Sequence, residues 1–173
     1  MKPKLKDMDA WYKAEALMQP ALIRAIDNIR KALDQCDWQG KYEEEWAWPE
    51  GTTEETKTRI KLLEQQLKDA EKVGDMETVD EVQSALNAQP QPQPLYTFHL
   101  KKGDRTAMID LWQICYRICF QDYAARAALS TGDRVSVDVD ESLFETGGDI
   151  DWQRLDEKAK TEITTFFKQL SED

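Results

Sequence analysis

Cys115 and Cys119, four residues apart, and His99, the only histidine, are the residues whose types could do chemistry. Two cysteines on one helical face could supply half of a tetrahedral zinc site. His99 beside either thiol, with Asp104 or Asp110 to orient the ring, would make a nucleophile–base pair. The surroundings argue against both. Cys36 is the only other soft ligand, no pair has two-residue spacing, and no strand–nucleophile–helix elbow or Gly-rich oxyanion loop lies nearby. Packing is therefore the expected role of the two cysteines, as small hydrophobes, and His99 is expected to be structural. Asp138, Asp140 and Glu141 form a dense carboxylate group, with Glu145, Asp149 and Asp151 close behind. Hard cations prefer such oxygen clusters, but the central glycine and terminal glutamate of a calcium loop are missing. A strand end followed by a capped turn accounts for the spacing. Gly147 and Gly148 mark a turn, and no glycine-rich phosphate loop is present. No catalytic, cofactor-binding or metal-binding residue is expected, and an enzyme is not the favoured reading.

A different kind of site is suggested by Tyr42–Trp48, YEEEWAW, where three aromatics stand among three glutamates. Aromatics at a partly exposed edge are effective interface anchors. The competing expectation is that Trp46 and Trp48 fold back onto the first helix. Leu62, apolar but off the main stripe of its helix, needs cover from this chain or another. Tyr42, Trp46, Trp48 and Leu62 are accordingly the candidate partner-binding residues.

Charge narrows the classes of partner. The 173 residues carry 34 acidic and 23 basic groups, a net charge of −11, concentrated in residues 135–173 at 11 acidic against 4 basic. Phosphate backbones repel such a chain, so no direct nucleic-acid binding is expected. The most apolar stretch, 107–129, is interrupted by Asp110, Arg117, Asp122 and Arg126, too polar to span a membrane. The odd cysteine count lacks a secreted disulfide framework. The N-terminal MKPKLKDMDAW has no apolar signal region. The cytoplasm is the expected compartment.

Helical elements dominate the pattern that would position these residues. Met18, Leu22, Ile26, Ile29 and Leu33 recur at helical spacing within 8–35, with either a kink at Pro20 or a new helix starting there. Gly40, Pro49 and Gly51 read as turns. Thr52 and Glu55 read as a capping box opening a hairpin over 52–88. Its stripes are Ile60, Leu63, Leu67, Ala70 and then Val79, Val82, Leu86, with Gly74 ending the first helix and Asp75 capping the second. QPQPQP at 89–94 reads as an extended linker. Tyr96, Phe98 and Leu100 alternate like a strand, as do Val135, Val137 and Val139, and the two could pair. Between them, 105–129 reads as one long helix with Met108, Leu111, Cys115 and Ile118 on a face. Asp151 caps a last helix with the stripe Trp152, Leu155, Ala159, Ile163, Phe166 and Leu170.

Residues 60–86 resemble the UVR helix hairpin of bacterial excision-repair subunits and some protease adaptors. Ile60, Leu63, Glu64, Gln66, Leu67, Lys68 and Ala70 fall where that motif has matching or similar residues, and Asp75, Met76, Glu77, Glu81, Val82 and Leu86 continue the register. Asp80 and Gln83 depart from it. The resemblance implies protein–protein contact, and it covers 27 of 173 residues.

The expected fold is mainly α, a bundle of four to six helices including one αα-hairpin, with room for a two- or three-stranded β element; α+β is the alternative. One domain is expected over 1–173, with 52–88 as a hairpin sub-element, 89–94 as a linker and 95–173 as the C-terminal part. The expected function is a non-catalytic adaptor or assembly factor that meets a protein partner. The alternatives are an acidic mimic that inhibits a DNA-binding protein and a small Cys/His-dependent enzyme.

Overall fold

The computed structural model describes residues 2–132 and 134–172. The fold is α+β, with six α-helices and two small sheets among the described residues, and not a pure bundle. In chain order the elements are β1 (Lys2–Lys4), α1 (Met8–Asp34), β2 (Gln39–Ala47), α2 (Glu54–Val73), α3 (Met76–Asn87), β3 (Gln93–Lys102), β4 (Arg105–Asp110), α4 (Leu111–Cys119), α5 (Tyr123–Leu129), β5 (Arg134–Ser136) and α6 (Trp152–Glu172). The chain forms two compact units. The first runs up to Glu43 and resumes at Tyr96; the second is Glu44–Leu95.

In the first unit α1 packs against α4 and α6. α1 opens on Asp7, whose carboxylate accepts from the Ala10 amide at 2.8 Å, and continues for 27 residues with Pro20 inside it. No new helix begins there; proline withholds one amide from the ladder. The buried face of α1 is Ala10, Ala14, Leu17, Ala21, Ala25 and Ile29, while Met18, Leu22, Ile26 and Leu33 are only partly covered. The large residues therefore flank an alanine stripe, which lets neighbouring helices approach closely. Asn28 is buried on the same helix and donates to the Arg24 carbonyl at 2.8 Å and to Asp156 of α6 at 3.2 Å, so its amide is satisfied. α6 starts at Asp151, which accepts from the Arg154 amide at 3.1 Å, and buries Leu155, Ala159 and Ile163. Phe166, Phe167 and Leu170 cover the core edge; Trp152, expected on the stripe, is exposed.

The region 105–129 is not one helix. Its first six residues are β4, antiparallel to β3 from Lys102↔Arg105 to Thr97↔Asp110. Gly103 holds φ +59° at the first position of the two-residue loop, where such hairpins demand glycine. Asp110 then ends the strand and caps α4, accepting from the Trp112 and Gln113 amides. Phe120 is extended and bridges Val139, which stops α4, and Asp122 adopts φ +49° before α5. Met108, assigned to the helical stripe, is an exposed strand residue. The strand at 95–100 is part of β3, but it pairs with β4 and not with 134–140. Only Arg134–Ser136 of that second stretch is strand, and it lies parallel to β1. Gly40 is no turn. It sits within β2, where a Cβ would meet Leu33 Cδ1 at 2.5 Å.

The second unit is built on the hairpin. α2 is capped by Thr53, which accepts from the Thr56 amide at 3.1 Å, one residue beyond the expected cap. Thr52 is engaged in the preceding turn, donating to the Pro49 carbonyl at 2.6 Å. Gly74 closes α2 at φ +72° and Asp75 caps α3, as the spacing indicates. Ile60, Val82 and Leu86 form a small core with Leu63, Leu67 and Trp48 packed on it. β3 starts at Gln93, inside the stretch read as a linker.

Candidate functional site

The residues with chemical potential are dispersed. Cys115 and Cys119 are fully buried on α4. Burial pushes the Cys115 thiol up to about 12, and burial with Cys115 alongside pushes Cys119 up as well. At neutral pH both are protonated and pack as small apolar groups. His99 lies on β3, half-exposed, with Nε2 3.3 Å from Glu43. Among the described residues the two cysteines and His99 do not come within ligand reach of one another. Cys36 is exposed.

The carboxylate group at 138–151 separates into individual pairs. Asp138 binds Arg126 at 2.9 Å, Glu141 binds Lys13 at 2.9 Å, and Asp151 caps α6. Asp140 meets Lys158 at 2.6 Å and accepts from the Ser142 hydroxyl at 2.6 Å. Burial alone would raise the Asp140 carboxyl, but the bonds from Lys158 and Ser142 outweigh it and hold the group below its ordinary value. This pair lines an open groove of about 660 Å³ with Arg117, Phe120, Asp122 and Glu162. Lys158 is already engaged by Asp140 and the Phe120 carbonyl. Asp138, Asp140, Glu141 and Asp151 thus have structural partners, in keeping with a strand end and capped turn.

The four candidate contact residues fall into two units. Tyr42, in the first, stacks on Tyr96 at 6.4 Å between centroids and meets Phe98 edge-on at 5.6 Å. It extends an aromatic run through Trp112 and Tyr116 to Tyr123. Trp48, in the second, packs on the hairpin core under the Lys57 ammonium, 5.8 Å from its ring centroid. Trp46 and Leu62 are open to solvent at 64% and 61% exposure. Periodicity missed two further residues of the second unit, Val73 at 78% and Met76 at 65%. They flank the Gly74 turn. Extending the stripes by one step would bury both, but Val73 is the last residue of α2 and Met76 the first of α3, on either side of the turn. Their apolar character beside a turn glycine was the available signal.

No helix among the described residues is long and apolar enough to cross a membrane. The likeness of residues 60–86 to the UVR hairpin rests on those residues alone, because no protein-family model, no curated protein and no solved structure matches the chain.

Proposed function

We propose that this protein is a non-catalytic adaptor or assembly factor that meets a protein partner through its second unit. One observation carries the reading. The unit buries three large apolar residues in a core of its own, yet leaves Trp46, Leu62, Val73 and Met76 in water. Large exposed apolar groups on a small unit are a cost unless something covers them. Aromatic and long aliphatic side chains are also the residues that anchor interfaces. The Cys/His enzyme reading finds little support in two buried, protonated thiols. The acidic-mimic reading draws on the net charge of −11, concentrated in residues 135–173, and would require a partner that DNA displaces.

The test is partner capture with the full chain and with a Trp46→Ser/Leu62→Ser variant. The variant is expected to retain its fold by circular dichroism and to lose the captured protein. Equal capture by both chains would remove the reading, and displacement of the captured protein by duplex DNA would transfer support to the mimic.

A further inference from the structure

The outward face of α3 carries acidic groups and no basic ones. No lysine, arginine or histidine occurs from Val73 to Phe98, whereas Asp75, Glu77, Asp80 and Glu81 do. Asp75 is committed to capping, accepting from the Thr78 amide and hydroxyl. Glu77, Asp80 and Glu81 are exposed, and among the described residues none has a basic side chain within ion-pair distance. Helical spacing sets them opposite Val82 and Leu86, which face the hairpin core. Glu77 and Glu81 lie one above the other at i and i+4, with Asp80 beside them. Met76 stands at the margin of this face, and Val73 follows across the turn, both solvent-exposed. The face therefore combines three uncompensated carboxylates with an apolar end, over roughly one and a half helical turns, about 8 Å.

Building on the contact role, we infer that the outward face of α3 docks a Lys/Arg-rich helical segment of a second protein, with an apolar residue of that segment seated on Met76 and Val73. Charge complementarity selects this occupant. Three negative charges on one face repel an acidic segment and reward cations repeated every three or four residues. The apolar end fixes direction, because only one orientation places the partner's apolar residue over Met76. An amphipathic helix laid against an apolar and acidic surface is a recurrent recognition mode.

The probe is a displayed library of random twelve-residue peptides, panned on the full chain and on the E77K/D80K/E81K variant. Enriched peptides are expected to be rich in Lys and Arg and to carry Leu, Phe or Met. A synthesised winner should lose at least tenfold in affinity against the reversed variant, less against E77Q/D80N/E81Q, and severalfold against Met76→Ser. All substituted side chains are exposed, and the neutral triple variant covers the case in which charge reversal disturbs the fold. The inference is overturned if no basic enrichment appears, or if winners bind wild type and both triple variants equally. It is also overturned if the wild type sediments as a dimer that charge reversal dissolves, because the occupant is then a second copy. If Trp46→Ser/Leu62→Ser abolishes partner capture while charge reversal leaves it intact, the contact role stands and this inference alone falls.

Discussion

The two units differ in the depth of their cores and in how their acidic groups are paired. In the first, several acidic groups are ion-paired: Asp27 with Lys31 and Arg24, Glu43 with Lys41, Asp138 with Arg126, Asp140 with Lys158, and Glu141 with Lys13. Its core is deep, with Leu17, Leu111, Cys115 and Leu155 out of contact with water. The second carries a net of −7 over 52 residues, leaves the α3 carboxylates unmatched, and encloses a three-residue core. A surface whose charges are satisfied internally has little electrostatic reason to recruit a partner. A surface that repels itself and exposes Val73 and Met76 gains on association. This difference, more than any single residue, directs attention to the hairpin.

The comparison breaks most visibly in the first unit's core. Leu155→Ala should cost about 3 kcal/mol, from lost burial and the cavity left behind. Urea titration would read this as a large drop in midpoint; an unchanged midpoint would mean that α6 is peripheral to stability.

The Asp140–Lys158 pair comes next. Lys158→Met leaves a half-buried carboxylate with Ser142 but no cation, expected to cost about 1–3 kcal/mol near neutral pH. The sign of the pH dependence follows from the lowered Asp140 group. A carboxyl held below its unfolded value contributes stability that is complete above that value, near 3.8, and is lost as pH falls through the folded one. Wild type and variant melts should therefore converge in acid, below about pH 4. A gap that persists at pH 2 would show that the loss lies in packing and not in charge.

A smaller effect sharpens the assignment of the α2 cap. Thr53→Ala should cost about 1 kcal/mol, and Thr52→Ala less, because only Thr53 satisfies a helix-start amide. Amide hydrogen exchange over residues 54–60 distinguishes the two; the reverse order would restore Thr52 as the cap. The smallest effect is expected for Trp46→Ser/Leu62→Ser. Stability should change by no more than about 0.5 kcal/mol per exposed site. A larger thermal shift would mean that these side chains are covered within the chain, and the contrast between the units would weaken.

Much of the second unit could be read directly from the residues, because its signals are local. Gly74 ends one helix and Asp75 begins the next within two residues, and the stripes Ile60–Ala70 and Val79–Leu86 need only each other. The α6 stripe was legible for the same reason, since Leu155, Ala159 and Ile163 repeat without interruption. The exposure of Trp46 and Leu62 also agrees with their reading as uncovered apolar residues, whereas Trp48 was claimed by the hairpin core.

What only the tertiary structure decided depends on non-local partners. Residues 105–110 carry a pattern compatible with helix, and no Gly or Pro between Asp104 and Thr131 marks the change to strand. Pairing with β3 through the Gly103 turn overrides that pattern, because a ladder of backbone hydrogen bonds depends on which strand lies alongside and not on side-chain period. The alanine stripe of α1 is likewise invisible to a search for large apolar residues, since Ala10, Ala14, Ala21 and Ala25 matter only once α4 and α6 press against them. The sequence alone sufficed for capped helices and their stripes, because an amide and its cap lie three residues apart. Strand partners, the close-packed face of α1 and the dispersal of the 138–151 carboxylates arise between residues far apart in the chain, and only folding brings those together.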